Sequence, residues 1–334
     1  MNSSNSSSST NHIGYVYMAQ TGIYLVPYAC CVRAMLLPKF RNLPAYRIML
    51  ALALNDFIAG SFLCGLYSVL GLSPELHYKM LRLEAAFMNF LWYNYTFLMV
   101  ALGINRSAAV NSLRKPGLQE KLFKGWRGTL WLAASVLLGF PGFALNYLLC
   151  GGHIYHPGLG LYLYSEGATC GAAEAEANPL VPAFNSVWNS IFLISLCLTY
   201  AHIAYSLRLA TGGMQSLAEK AWLSHCLLPV LKTMPGHLGG AQLGQVSSAQ
   251  ERLVLQQCGA ISGVALWVAL LYEGIMYLDM AAVRLPFTIY YIATFSWQFM
   301  QGGTSFIYLT MNYSLRTEVM AGCKSSAVVP LDGH

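Results

Sequence analysis

Residues 83–106 read LEAAFMNFLWYNYTFLMVALGINR, and the length of this run decides the fold. One charged residue, Glu84, stands at its start, and Arg106 closes it. A helix needs about 20 mostly apolar residues to cross bilayer hydrocarbon, where it must satisfy its backbone polar groups internally. The stretch 83–105 is long enough. Working outward, comparable runs occur at about 14–37, 48–72, 128–150, 181–207, 254–277 and 286–311. The pattern predicts an all-α membrane protein, a seven-transmembrane helix bundle with its termini on opposite sides. Composition agrees: of 334 residues, 56% are hydrophobic and 10% charged, against roughly 25% charged in an average soluble domain.

Loop charge gives the orientation. With the N-terminus outside, the inner segments carry fifteen Lys and Arg, from Lys39 to Lys324, and the outer ones only Lys79, Arg82 and Arg284. Positive charge gathers on the cytoplasmic side, so the N-terminus is predicted outside and the C-terminus inside. Arg33, near the inner end of the first span, suits snorkelling to the headgroups. The outer segment 151–180 contains Glu166, Glu174 and Glu176 and neither Lys nor Arg, which agrees.

The chain divides into an N-terminal stretch 1–13, a membrane domain 14–311 and a short cytoplasmic tail 312–334. Met1–Thr10 is Ser- and Asn-rich and has little to bury, so it is expected to be disordered. Its sequons place Asn2 and Asn5 as glycosylation candidates if this end is outside. The basic residues behind the +6 net charge fall between apolar runs, which points to membrane orientation and not to nucleic acid. The nine cysteines form neither a CxxC pair nor a framework of close spacings.

Two residues inside the runs carry chemistry. Asp56, in Leu52–Asp56, is a carboxylate at membrane depth. It reads as a switch or ion site, or as a hydrogen-bonded structural acid. Arg106 follows Asn105 at the inner end of the third run, where an arginine by itself reads as a membrane anchor. The fourth run adds Trp131 with Pro141 ten residues on, and the seventh has Tyr308 near its inner end.

Taken together, the Leu-Ala-x-x-Asp of the second span, Asn105-Arg106, Trp131 with Pro141, and Tyr308 resemble the rhodopsin-like receptor pattern. More narrowly, Tyr46–Leu50, Leu102–Arg106 and Gly302–Leu309 leading to Asn312 and Arg316 are similar to nematode serpentine chemoreceptors of class T, with class X close behind. The resemblance covers roughly 14–320. It implies a G-protein-coupled receptor, chemosensory, in the plasma membrane of a sensory cell or its cilium. A small-molecule ligand would bind in the outer half of the bundle, and a heterotrimeric G protein would be met around Asn105 and Arg106, with the basic stretch 114–127 as its partner surface. Asp56 and Tyr308 would be switch positions, and Glu251 a candidate restraint on Arg106.

Four departures alter those switches. The usual first-span Asn is absent, no Cys opens the third span, the sixth span lacks proline, and Thr304-Ser305 replace Asn-Pro. Without the third-span Cys, Cys150 and Cys170 become the candidate disulfide.

Counting helical turns outward from Arg106 puts Met88 and Trp92 on one face. Asn189, Trp267, Glu273, Tyr291 and Gln298 fall at similar heights and complete the pocket candidates, beside Tyr95, Asn185, Trp188, Tyr272 and Trp297. Their aromatics equally suit interfacial belts and helix packing. Glu273, in the outer half of the sixth span, suits water or a cationic ligand group. His153 and His156 lack Cys or acidic neighbours and read as ordinary loop histidines, so no metal is expected. No nucleophile elbow, phosphate loop or HExxH occurs, and neither enzyme activity nor a cofactor is expected. The rival readings are an ion-coupled transporter or channel using Asp56 and Glu273, and a receptor that no longer signals.

Overall fold

The computed structural model describes residues 7–59, 74–112, 117–149, 153–156, 161–164, 180–210, 241–281, 283 and 285–326. In chain order the helices are α1 (Ser7–Met35), α2 (Pro38–Arg41), α3 (Pro44–Asp56), α4 (Pro74–Ser112), α5 (Leu118–Phe123) and α6 (Trp126–Leu149). After a two-stranded hairpin come α7 (Leu180–Ala210), α8 (Ala241–Met280), α9 (Phe287–Gln298), a π turn (Phe299–Gly303), α10 (Thr304–Met311) and α11 (Tyr313–Ser326). Within α4, α6, α7 and α8, the stretches Leu83–Asn111, Trp126–Leu149, Leu180–Ser206 and Gln256–Leu278 are long and apolar enough to cross a membrane.

The helix of the opening run, α4, is the axis of the bundle. It packs on α3, α6, α7 and α8. About two thirds of its apolar stretch is buried (67%), against 22% for that of α6, which leaves most of α6 facing lipid. Lipid gives no hydrophobic incentive for two helices to pair, so close packing needs small residues. Gly139 of α6 supplies one, since a Cβ there would stand 2.7 Å from the Phe90 ring of α4. Gly103 does the same between α4 and α7, where a Cβ would meet Thr199 at 2.9 Å. The main core joins Met49 and Leu52 of α3, Tyr95, Leu98 and Met99 of α4, Leu196 of α7, Val268 of α8 and Tyr308 of α10.

Four local features are additional to the seven runs. The first helix begins at Ser7, inside the polar stretch expected to be disordered. In the outer segment 151–180, β1 (His153–His156) and β2 (Leu161–Tyr164) pair antiparallel, with His153 opposite Tyr164. The seventh run is interrupted by the π turn, and the tail continues as α11. Asn312 makes that last change of direction: its Oδ1 accepts from the Leu315 amide at 3.0 Å, capping α11, and its Nδ2 donates to the Tyr46 hydroxyl at 3.0 Å. Lys39 of α2 pairs with Glu318, a second tie between α11 and the segment joining the first two spans.

Candidate functional site

Three polar groupings lie along the bundle. The first, toward the end of the bundle away from Arg106, is built on Glu273 of α8, which is buried. Asn189 Nδ2 donates to Glu273 Oε1 at 2.6 Å and Ser186 Oγ to Oε2 at 3.0 Å, so α7 holds both carboxylate oxygens. Trp92 Nε1 of α4 donates to Asn189 Oδ1 at 2.7 Å, and Ser186 also meets the Tyr277 hydroxyl at 2.7 Å. Aromatic rings wall this chain of bonds. Trp92 lies 5.1 Å from Trp297 and 5.9 Å from Tyr95, and Tyr272 meets Trp297 edge-on at 5.6 Å. Alongside, Trp188 Nε1 donates to Thr96 at 2.8 Å, and Tyr93 bonds Asn185.

Of the pocket candidates, Trp92, Asn189 and Glu273 are thus brought into one network. Met88 lies beside it in a smaller cluster with Tyr17, Ala59 and Leu91, packed by Trp297. Gln298 is buried but faces a different cavity, and Tyr291 is half-buried. Trp267 stands apart: it is 57% exposed, on an outward-facing groove, because the helical phase that turns Glu273 inward turns Trp267 toward lipid.

The middle grouping is centred on Asp56, also buried. Tyr28 of α1 donates to Asp56 Oδ2 at 2.5 Å, Thr304 of α10 donates to the same oxygen at 3.4 Å, and the two hydroxyls stand 3.0 Å apart. Tyr28 and Thr304 therefore bring the first and seventh spans to this acid, without the absent first-span Asn or the absent Asn-Pro. Nothing in the sequence singled out Tyr28; the sole signal was that a buried carboxylate needs a donor. Behind Asp56 lies a small cavity lined by Thr21, Tyr24, Tyr28, Gln298 and Gln301. Tyr308 is fully buried in the core nearby.

The third grouping, toward the other end of the bundle, surrounds Asn105 and Arg106. Asn105 Oδ1 accepts from Gln119 at 3.4 Å, while Asn105 Nδ2 has no partner among the described residues. Arg106 Nε and Nη2 are buried and likewise without a partner among them, as are both polar atoms of the fully buried Gln257 on α8. Arg106 and Cys258, next to Gln257, both flank Tyr46 and Tyr200. Tyr200 in turn bonds Ser262 of α8 at 2.7 Å. Gln257 went unremarked in sequence, although a glutamine inside an apolar run is a legible signal.

Several candidates lie outside the described residues: Asn2, Asn5, Cys150 and Cys170, and the side chains of His153, His156 and Glu251. Cys30, Cys31, Cys197 and Cys258 are free thiols. Among the described residues, no three His, Cys, Asp or Glu side chains gather as a metal site.

The family model described as "Serpentine type 7TM GPCR chemoreceptor Srt" matches this sequence over residues 1–228 and 223–328. No curated protein matches it in sequence. In structure the chain is similar to squid rhodopsin, with a TM-score of 0.66 at 12% identity, over 96% of this chain and 86% of that one. At that identity the likeness is one of fold, a seven-helix bundle.

Proposed function

The chain belongs to the Srt family of serpentine seven-transmembrane G-protein-coupled chemoreceptors, and from that premise we propose where it receives its ligand and where it meets its G protein. It is a multi-pass membrane receptor, and neither family nor fold supports the transporter reading. In our reading a small molecule binds among Trp92, Asn189 and Glu273, in the outer half of the bundle, and the G protein docks around Arg106. The N-terminus is outside, the tail inside, and the receptor works at the plasma membrane of a sensory cell.

One observation carries the assignment of the inner face: Asn105, Arg106 and Gln257 keep buried polar atoms without a partner among the described residues. Each such atom costs about 1–3 kcal/mol while unsatisfied. A helix end inserted from the G protein brings backbone carbonyls that relieve that cost. The planar guanidinium, with five donors and a charge fixed at any relevant pH, suits such acceptors. The Glu273 network supplies the other half of a two-state device. Its bonds run between α4, α7 and α8, so a ligand that rearranges them favours one arrangement of these helices, by as much as it binds that arrangement better.

The deciding experiment separates binding from coupling. At matched surface expression, Arg106→Ala is expected to retain ligand binding and lose ligand-stimulated nucleotide exchange; unchanged exchange returns Arg106 to the role of membrane anchor. For orientation, a tag at His334 should be reachable only after permeabilisation, and glycosidase should lower the apparent mass through Asn2 and Asn5. Labelling of the tag on intact cells overturns the orientation.

A further inference from the structure

An open groove runs down the lipid-facing side between α1, α8 and α9, with about 620 Å³ of accessible space. Its walls are Val264 and Trp267 of α8, Phe295 of α9 and Phe299 of the π turn, and Trp267, Phe295 and Phe299 are all exposed. Gly263 leaves the floor open, since an added Cβ there meets nothing within 4 Å. Immediately behind the groove is the Asp56 cavity, with about 10 Å³ of accessible space, roughly what a single water-sized group occupies. Tyr24 lines both. Its ring lies on the bare backbone of Gly302 and its hydroxyl accepts from Gln20 Nε2 at 2.9 Å. One tyrosine side chain therefore stands between an apolar groove and a polar hole.

The hole is polar without being satisfied. Gln298 and Gln301, both almost wholly buried, line it, and all four of their side-chain polar atoms and Asp56 Oδ1 are without a partner among the described residues. At membrane depth these atoms have no bulk water to turn to. Two carboxamides present donors and acceptors together, so they suit a group that both donates and accepts. The size restricts that group to a single heavy atom, which a hydroxyl supplies. A charged head is disfavoured by the cost of carrying it to this depth.

We propose that the groove and the cavity form a second ligand site, which takes a neutral, single-headed amphipath of the alcohol class directly from the bilayer. The apolar tail lies along Trp267, Phe295 and Phe299, Tyr24 swings aside, and the hydroxyl reaches Gln298 and Gln301. This site is separate from the Glu273 network and does not depend on where the signalling ligand binds.

The test uses the full chain in lipid nanodiscs and octanol carrying a photoreactive diazirine at its tail. Label is expected within 260–268 and 295–299, displaced by plain octanol and not by octane. Gly263→Trp, which fills the groove, should abolish it. Gln301→Leu should weaken octanol competition about tenfold, the cost of one lost buried hydrogen-bond partner. Gln298→Leu serves the same purpose if Gln301→Leu is poorly folded. Equal displacement by octane, label insensitive to Gly263→Trp, or undiminished octanol competition in the glutamine variants overturns the proposal. Because the readout is labelling and not nucleotide exchange, the result stands whichever way the Arg106 experiment falls.

Discussion

The Glu273 network and the Arg106 cluster sit toward opposite ends of the same bundle, and their polar groups are in opposite condition. Around Glu273 the central polar side chains bond one another: both carboxylate oxygens, Asn189, Ser186, Tyr277 and the Trp92 indole are bonded, while in the aromatic wall the Tyr95 hydroxyl and Trp297 Nε1 have no partner among the described residues. Around Arg106, buried nitrogens of Asn105, Arg106 and Gln257 are left over. A satisfied network is rigid and specifies one arrangement of its helices. An unsatisfied one carries a standing cost that an added partner removes. In the proposed reading, the difference is that the Glu273 cluster holds a shape until a ligand changes it, and the Arg106 cluster is completed from outside the chain.

The sharpest way to break this contrast is Arg106→Ala, which removes the donors awaiting a partner. Ligand-stimulated nucleotide exchange should fall about 10- to 100-fold, the factor corresponding to about 1.5–3 kcal/mol of charge-assisted hydrogen bonding, with ligand binding intact. Next in size is Glu273→Gln, which keeps the shape of the side chain and replaces one accepting carboxylate oxygen with an amide NH2. Ligand potency is expected to drop about tenfold while the maximal exchange rate is unchanged, as a dose-response curve at matched expression would measure. A loss of maximum with unchanged potency would assign Glu273 to the switch instead.

Between the two clusters, Asp56→Asn keeps an acceptor for Tyr28 and discards the acid. Signalling should shift about fivefold, equivalent to about 1 kcal/mol, with surface abundance unaltered. Normal signalling across a range of sodium and pH would make Asp56 a structural acid. The smallest effect is reserved for Trp92→Phe, which preserves the aromatic wall and deletes only the bond to Asn189. Stability in nanodiscs should decline by about 1 kcal/mol, read as a lowered unfolding temperature. An unchanged temperature would show that the outer network owes its rigidity to packing alone.

Run length made the spans legible, because a helix in lipid must be long, apolar and self-satisfied whatever its neighbours are. The same uniformity hid which face of each helix points inward. Trp267 and Glu273 lie six residues, about 9 Å, apart on one helix and only Glu273 is buried, since apolar residues line the lipid side as well as the core. Asp56 and Arg106 stood out as charged groups in or beside apolar runs, but their surroundings did not. Tyr28 reaches Asp56 from 28 residues away and Thr304 from 248, separations over which a sequence pattern says nothing of contact. Helix α11 was missed because it is mostly polar and reads as tail, although Asn312 at its start is a residue type that favours caps.

The π turn at Phe299–Gly303 sets the phase of everything beyond it in the seventh span. A helix advances about 100° per residue, so the wider winding there decides which residues of α10 look at Asp56. Thr304 and Tyr308 keep their inward azimuth only while that winding is maintained. Insertions and deletions of a single residue should therefore be tolerated in the β1–β2 hairpin and damaging here, even where every side chain is retained. In this stretch of chain, the number of residues matters more than their identity.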